Sequence, residues 1–286
     1  MNTIRLGQSS LHCTRLAYGC WRLAGTWEAA HVSPDREAHG RTAVLAAFEA
    51  GYTLFDHADV YCDGVAETIF GRALREAAGL RDRILIASKC GIRKAGEPES
   101  ATPYRYDFSA EHIVRCCEQS LRRLGVETID LYQLHRPDVL CDPTEVAGAF
   151  VRLREAGKVR EFGVSNFRPS QLTMLQRACP MKLAVNQIEI SLGHLDPFSD
   201  GTLDQCLTEK VTPLAWSPLA GGRLASGVGV SMQDPNHARK LKLHETLDAL
   251  ARDHGVSRTN LALAWLLFHP SGIVPIVGTT NPDRIK

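Results

Sequence analysis

Four side chains capable of acid–base chemistry follow apolar runs in the first half of the chain. Asp56 ends the run "YTLFD", and Tyr61 follows five residues later. Lys89 ends "ILIASK", and His135 ends "TIDLYQLH". Because short apolar runs are typical of buried parallel strands, each group is predicted to lie at, or just beyond, the carboxyl end of a strand.

Each of these residues alone has an ordinary structural explanation. A carboxylate after a strand can cap a turn, a lysine there is usually solvated, and a histidine is usually held by hydrogen bonds. Burying the four together without pairing them would be costly, because an unpaired charge in an apolar interior costs several kcal/mol.

If the four side chains meet, they form a general-acid arrangement for a carbonyl group. Lys89 beside Tyr61 would favour the phenolate, which predicts a tyrosine pKa below its reference value near 10. Asp56 would keep Lys89 charged and in place. His135 would donate a hydrogen bond to the carbonyl oxygen, and Tyr61 would protonate that oxygen as it becomes an alkoxide. Carbonyl reduction of this kind also needs a hydride donor.

The elements that position these residues alternate along the chain. Eight apolar runs predict strands at 16–21, 52–59, 84–89, 128–135, 160–166, 183–189, 212–219 and 272–278. Amphipathic segments between them predict helices at 40–51, 66–77, 109–125, 143–158, 168–178, 202–209, 237–255 and 257–269. Eight repeats in 286 residues favour an α/β fold of the closed (β/α)8 TIM-barrel class over a doubly wound sheet.

Two further expectations concern the organisation of the chain. A small hairpin around residues 7–10 is predicted to cap the barrel floor, and residues 1–286 are predicted to form one domain. In such barrels functional groups lie at the carboxyl ends of the strands. That rule adds five polar or aromatic side chains at later strand ends: Ser165, Asn166, Gln187, Trp216 and Ser217.

Composition argues against several other classes of protein. The net charge is +1, and the 33 basic and 32 acidic residues form no stripe for nucleic acid and no polybasic membrane patch. We find neither a signal-peptide core nor the roughly 18 apolar residues of a membrane span. Nine irregularly spaced cysteines without a C-x-x-C pair argue against a disulfide framework or a metal site. We therefore expect a cytoplasmic protein.

Taken together, the motifs resemble those of the aldo-keto reductase family, over nearly the whole chain. "FDHADVY" resembles the family's aspartate–tyrosine motif, "IASKCG" its lysine segment and "DLYQLHRPD" its histidine segment. The cofactor-binding blocks follow in the family's order as "GVSNF", "NQIE", "AWSPLAGGRL" and "VPIVGTTNPDRI". Each block alone is a modest signal, whereas their joint order is highly specific.

The resemblance implies a catalytic tetrad and a nicotinamide cofactor, usually NADPH, bound across the barrel mouth. No G-x-G-x-x-G fingerprint follows an early strand. The implied tetrad is Asp56, Tyr61, Lys89 and His135. The groups implied to hold the nicotinamide are Ser165, Asn166 and Gln187 at its carboxamide and Trp216 stacked on its ring. The loop implied to cover the pyrophosphate contains Ser217, Leu219 and Gly221, with Arg223 adding charge.

The segment "GTTNPDRI" resembles the part of the family that grips the adenosine 2′-phosphate. Thr279 and Arg284 match a hydroxyl donor and an arginine, and a guanidinium suits phosphate. Many relatives carry a lysine where this chain has Gly278, which weakens the preference for NADPH over NADH without removing it. Relatives also continue beyond the position of Lys286, so we expect either a shortened C-terminal end or a sequence that covers part of the natural product.

The substrate side is predicted from aromatic residues. Trp21 is predicted to line the pocket, with a core aromatic as the alternative. The long loop 90–108, which carries Tyr104, Tyr106 and Phe108, is expected either to contact the substrate or to be disordered. A small-molecule carbonyl is the expected substrate. Two other functions stay open: a Schiff-base lyase that uses Lys89, and a non-catalytic barrel that binds the cofactor and regulates a partner.

Overall fold

The computed structural model describes residues 2–285; Met1 and Lys286, the ends of the predicted domain, lie outside the described residues. The strands are β1 Thr3–Arg5, β2 His12–Thr14, β3 Ala17–Gly19, β4 Leu54–Asp56, β5 Leu85–Cys90, β6 Ile92–Arg93, β7 Arg105–Tyr106, β8 Ile129–Leu134, β9 Val159–Ser165, β10 Val185–Glu189, β11 Thr212–Trp216 and β12 Val274–Val277. The α-helices are α1 Pro34–Glu49, α2 Val65–Glu76, α3 Ala110–Leu124, α4 Pro143–Glu155, α5 Pro169–Ala178, α6 Thr202–Glu209, α7 His237–Asp253, α8 Arg258–Leu267 and α9 Pro282–Ile285.

Eight parallel strands close the barrel in the order β3, β4, β5, β8, β9, β10, β11 and β12, which returns to β3. The predicted (β/α)8 TIM barrel is therefore confirmed. Neighbouring strands are also neighbours in sequence, apart from the short β6–β7 pair, as expected when each crossover covers the sheet with a helix. All the carboxyl ends of these strands consequently open onto one mouth.

The core has two main layers. Inside the lower barrel, Leu54, Leu131 and Leu214 are fully buried together with the residues of the N-terminal hairpin. Between strands and helices a larger cluster includes Phe150 and Phe162, whose rings stack with centroids 4.2 Å apart. Apolar side chains therefore fill the barrel below its mouth, and the polar groups collect above them.

The predicted hairpin at the barrel floor is confirmed. β1 and β2 pair antiparallel, and the backbone N–H of Gly7 in their turn donates to Thr212 Oγ1 at 2.8 Å, at the amino end of β11. Gly7 has φ of +54°, and a Cβ there would lie 2.5 Å from the carbonyl oxygen of Ala184. Only glycine combines that backbone conformation with so close an approach.

Several boundaries differ from the sequence prediction for local reasons. The first barrel strand is shorter, because residues 20–22 form a 3-10 turn. Helix α1 begins at Pro34 rather than at residue 40, because Ser33 caps it by accepting a hydrogen bond from the Arg36 N–H. The predicted cap of α3 by Ser109 is confirmed. The loop 90–108 is not structureless, since β6 and β7 pair within it.

Among residues 2–285, no helix combines the length and the apolar character needed to cross a membrane.

Candidate active site

A buried ion pair lies at the carboxyl ends of β4 and β5. Lys89 is fully buried, and its Nζ donates to the two carboxylate oxygens of Asp56 at 2.7 and 2.8 Å. It also donates to the carbonyl oxygen of His57 at 2.7 Å. Burial lowers the pKa of Lys89, and the adjacent Asp56 carboxylate opposes that shift. Three acceptors match the three N–H donors of an ammonium group, so the amine is fixed in place.

The Tyr61 phenol lies beside this pair. Its ring centroid is 5.2 Å from Lys89 Nζ, and the ring meets that of His135 edge-on at 6.0 Å. The backbone turns sharply after the tyrosine, because Cys62 and Asp63 have φ of 48° and 54°. The structure therefore brings Asp56, Tyr61, Lys89 and His135 together, as their positions at strand ends predicted.

The predicted direction of the tyrosine pKa is wrong. Burial raises the pKa of Tyr61 well above its ordinary value, and the Asp56 carboxylate raises it further. The Lys89 ammonium donates its hydrogen bonds to Asp56 and His57 rather than to the phenol, so its charge is partly offset there and does not outweigh burial. Tyr61 is consequently held as a neutral phenol, the form that can donate a proton.

His135 is a neutral imidazole at the end of β8. Burial, and then the charges of Lys89 and Arg136, lower its pKa well below the ordinary value. Its Nδ1 is buried without a partner among residues 2–285, which leaves Nε2 as the ring nitrogen available to a bound molecule. The ring is anchored through its own backbone, because the His135 N–H donates to the Cys90 carbonyl oxygen at 2.8 Å.

The polar groups of β9 to β11 form one connected network beside the ion pair. The Gln187 carbonyl oxygen accepts from Ser165 Oγ and from the Asn166 N–H, both at 2.8 Å. Trp216 Nε1 donates to Asn166 Oδ1 at 2.9 Å. Gln187 Nε2 reaches Asp56 Oδ1 at 2.7 Å. These predicted cofactor residues therefore lie together, directly next to the tetrad.

The loop after β11 combines sterically unhindered backbone at Gly221 with the guanidinium of Arg223, which is unpaired within residues 2–285. Ser217, Ala220 and Gly221 have φ of 50°, 50° and 69°, so the chain coils tightly there. A Cβ on Gly221 would meet only Arg223 Nη1, at 3.8 Å. The Arg223 guanidinium forms no ion pair or hydrogen bond with residues 2–285. An exposed guanidinium beside uncovered backbone fits a phosphate-bearing ligand, as predicted for this loop with Leu219.

Gly278, Thr279 and Arg284 follow β12 at the same mouth. A Cβ on Gly278 would lie 2.9 Å from Trp21 Nε1, so the ring of Trp21 occupies the side where relatives are expected to carry a lysine. Thr279 Oγ1 accepts from the Asn281 N–H at 3.2 Å, which leaves its hydroxyl proton free to donate. Arg284 is exposed on the short helix α9.

The proposed substrate side is built from aromatic residues. Trp21 lies at the mouth rather than in the core, with its ring 5.0 Å from that of Trp27 and the Arg22 guanidinium 4.3 Å above it. Tyr104 is exposed, whereas Phe108, at the end of the same loop, is buried and stacks on Phe167. Phe108 is therefore a packing residue and not a pocket residue.

Arg136, next to His135, also lies at this mouth and is not among the residues that the sequence predicted. Its guanidinium carbon lies 5.4 Å from the ring centroid of Trp216, above the mouth. The signal that could have found it was its position in "LHRPD", one residue after the predicted strand-end histidine.

A groove of about 1170 Å³ lies at the opposite end of the barrel, around the amino ends of β8 and β9. Arg81 and Arg160 there already bind the two oxygens of the buried Asp130 at 2.9 and 2.8 Å. Because these charges pair within the protein, we take the mouth, and not this groove, as the candidate site. Residues 2–285 contain no cluster of three or more His, Cys, Asp or Glu side chains placed to hold a metal ion.

Comparison with known proteins agrees with this geometry. The model of the Aldo/keto reductase family matches residues 15–286. The chain is 42% identical to a 6-dehydroglucose reductase of Agrobacterium fabrum over 96% of this chain and 88% of that protein. It is 41% identical to a 6-dehydroglucose reductase of Novosphingobium aromaticivorans, over 98% and 87% of the two chains.

A solved structure shows the same architecture. The glycerol dehydrogenase of Gluconobacter oxydans superimposes with a TM-score of 0.88 and 30% identity, over 99% of this chain and 88% of that one. With a family match over nearly its whole length and relatives above 40% identity, this chain belongs to the aldo/keto reductase family of oxidoreductases.

Proposed function

We propose that the protein is an NADPH-dependent reductase of aldehyde or ketone carbonyls, with Tyr61 as the general acid. The observation that carries this proposal is the buried Lys89–Asp56 pair, 2.7 Å apart, beside a neutral phenol and a neutral imidazole at one mouth. Such a set supplies a proton and a hydrogen-bond donor to an oxygen that gains negative charge.

The chain's own residues fit a nicotinamide dinucleotide. Members of this family use such a cofactor, and when bound it supplies the hydride for the reaction. Ser165, Asn166, Gln187 and Trp216 would hold its nicotinamide end. Ser217, Leu219, Gly221 and Arg223 would hold the pyrophosphate, and Gly278, Thr279 and Arg284 the adenosine 2′-phosphate. The uncovered backbone at Gly221 and the unpaired guanidinium of Arg223 within residues 2–285 support this fit.

In the proposed mechanism two side chains act on the substrate oxygen, and a third acts on the phenol. His135 donates a hydrogen bond from Nε2–H that orients the carbonyl, with the neutral ring in the tautomer that leaves its lone pair on the buried Nδ1. Tyr61 transfers its hydroxyl proton to the oxygen as negative charge develops there. Lys89, fixed by Asp56, stabilises the phenolate that remains. Charge thus appears only where a group is already positioned to meet it, which favours the transition state over the ground state.

The proposed preference for NADPH over NADH rests on Arg284 and Thr279. The names of two relatives favour a hydroxylated aldehyde, such as 6-dehydroglucose, as the substrate. We further propose that residues 1–286 act as one domain, and that the protein works in the cytoplasm, where the nine free thiols would stay reduced.

The geometry disfavours the Schiff-base lyase. A lysine nucleophile must be a free neutral amine, whereas Lys89 is fully buried and donates all of its protons to Asp56 and His57. Borohydride trapping with a carbonyl compound tests this alternative directly, since a stable adduct at Lys89 would favour it.

One experiment separates a reductase from a non-catalytic cofactor-binding barrel. NADPH and NADH are titrated by fluorescence, and a carbonyl panel that includes 6-dehydroglucose is then followed at the nicotinamide absorption band. We expect binding of NADPH and steady turnover that is lost in Tyr61→Phe. Binding without turnover of any carbonyl would support the regulatory barrel, and absence of nucleotide binding would refute both.

A further inference from the structure

Arg136 is a cation at the barrel mouth that the proposed tetrad does not use. It directly follows His135, and its guanidinium lies 5.4 Å from the ring centroid of Trp216. The side chain is only partly buried, so it borders both the protein and the open mouth. Arg136 therefore lies between His135 and Trp216, the proposed stacking partner of the nicotinamide ring.

The guanidinium of Arg136 has no partner among residues 2–285. No carboxylate in that range forms an ion pair with it, and none of its N–H groups donates to a described acceptor. Other partly buried arginines are paired: Arg93 binds Asp107 and Arg123 binds Glu67, each at 2.7 Å. The nearby carboxylate of Asp138 is used instead by the backbone N–H groups of Phe108 and Leu140.

We infer that Arg136 is a substrate-recognition residue, which selects carbonyl compounds carrying further oxygen acceptors, either hydroxyl groups or a carboxylate. This inference rests on the proposed reductase function and names the substrate class of that same site. A guanidinium presents planar N–H donors that match such oxygens, and the face of Trp216 restricts its orientation. An unsubstituted alkyl aldehyde would leave those donors unused.

The electrostatic influence of Arg136 agrees with this position. Burial dominates the raised pKa of Tyr61, and the charge of Arg136 opposes it. Burial and Lys89 lower the pKa of His135, and Arg136 adds to that lowering. The guanidinium is thus close enough to act on both groups that would flank the carbonyl oxygen, and an acceptor a few bonds from that carbonyl lies within its range.

The test compares matched aldehydes in Arg136→Met, Arg136→Lys and wild type. One pair is D-glyceraldehyde and propanal, and the other is succinic semialdehyde and butanal. In Arg136→Met we expect kcat/KM to fall about 10- to 100-fold for the oxygenated member of at least one pair, as for loss of a hydrogen bond to a charged group. The plain aldehydes should change less than about twofold, and Arg136→Lys should lie between.

Two controls exclude other roles of the charge. Arg122→Met removes an exposed arginine from the outer face of α3 and should leave every ratio unchanged. The Kd for NADPH should not change in Arg136→Met. An equal loss for all four aldehydes, a proportional rise in that Kd, or no loss for any aldehyde would each overturn the inference.

Failure of the proposed function is distinguished by a binding measurement. Because Arg136 lies on Trp216, we expect succinate to change tryptophan fluorescence in wild type but not in Arg136→Met, whether or not any aldehyde turns over. If wild type reduces no aldehyde but shows this difference, the reductase proposal fails and the recognition site stands. If all four aldehydes are reduced without the predicted discrimination, the recognition site is wrong.

Discussion

Gln187 Nε2 donates a hydrogen bond to Asp56 Oδ1 at 2.7 Å, across the full width of the barrel. Gln187 belongs to β10 and Asp56 to β4, which are separated by three strands in either direction around the closed sheet. The same carboxylate holds Lys89, while the backbone of Gln187 holds Ser165 and Asn166. One amide thus joins the proposed nicotinamide site to the proposed proton-transfer site.

Replacing Gln187 with glutamate should make activity depend on pH in a new way. Two carboxylates at hydrogen-bond distance cannot both ionise, so the introduced carboxyl group and Asp56 would share a proton at low pH. As pH rises, that proton leaves and repulsion displaces Asp56 from Lys89. We expect kcat near the parent value at about pH 6 and about 10- to 100-fold lower at about pH 8.5, measured as pH–rate profiles with saturating NADPH.

The matched control is Gln205→Glu, since the Gln205 amide binds Pro169 and Thr173 away from the mouth. Its profile should match wild type. A Gln187→Glu enzyme with an unchanged profile would show that the bond to Asp56 does not position the tetrad.

Tyr61→Phe should lower kcat about 10²- to 10⁴-fold with little change in the Kd for NADPH. The phenol supplies the proton, whereas the ring alone is enough to keep the packing against His135. Burial raises the pKa of Tyr61, so its acid form persists as pH rises. We therefore expect kcat/KM in wild type to stay flat through about pH 9. A parent-like rate in the variant, or a wild-type activity that falls near neutral pH with this residue's titration, would contradict the assignment.

Arg284 and Arg223 should differ in how they affect the two nucleotides. Arg284→Ala should weaken NADPH binding about tenfold or more and leave NADH within about twofold, because only NADPH carries the 2′-phosphate. Arg223→Ala should weaken both, since both carry the pyrophosphate. Fluorescence titration of each variant with each nucleotide measures this. Equal effects of Arg284→Ala on the two would place that residue away from the 2′-phosphate.

Acid should destabilise the fold through His57. Both ring nitrogens of this buried histidine lack partners among residues 2–285, and burial, with repulsion from Lys89, lowers its pKa to about 3. An unfolded histidine titrates near 6.5, so between about pH 6.5 and about 3 the unfolded chain binds the extra proton. The free energy of unfolding therefore falls as pH drops through that window, by about 1.4 kcal/mol per pH unit for this one group.

His57→Leu should consequently lose stability less steeply than wild type below about pH 6.5. Urea unfolding at about pH 7.5, 6.0 and 5.0 provides the slopes, and replacing the exposed His12 with leucine should keep the wild-type slope. Identical slopes for wild type and His57→Leu would mean that the folded protein protonates this ring over the same pH range as the unfolded chain does.

The barrel and the positions of the tetrad could be predicted from residue order alone. Local sequence patterns indicate the strands and helices, through apolar runs and helix caps such as Ser109. When eight such units close into a barrel, the carboxyl ends of all the strands lie at one mouth. The start of α1 is also marked locally, by Ser33 and Pro34, but its first residues, PDREAH (34–39), present no apolar stripe that would mark them as helix. Asp56, Lys89 and His135 were found because their strands end with them.

How these groups act on one another depends on contacts that form when the barrel closes. The bond from Gln187 to Asp56 joins strands on opposite sides of the barrel, and the unpaired state of Arg136 within residues 2–285 depends on which carboxylates lie within reach. The pKa of Tyr61 rises rather than falls because burial and Asp56 outweigh an ammonium that is turned elsewhere. How deeply a side chain is buried, and which groups its charge faces, depend on residues that are far apart in the sequence. The type of residue at one position therefore does not predict them.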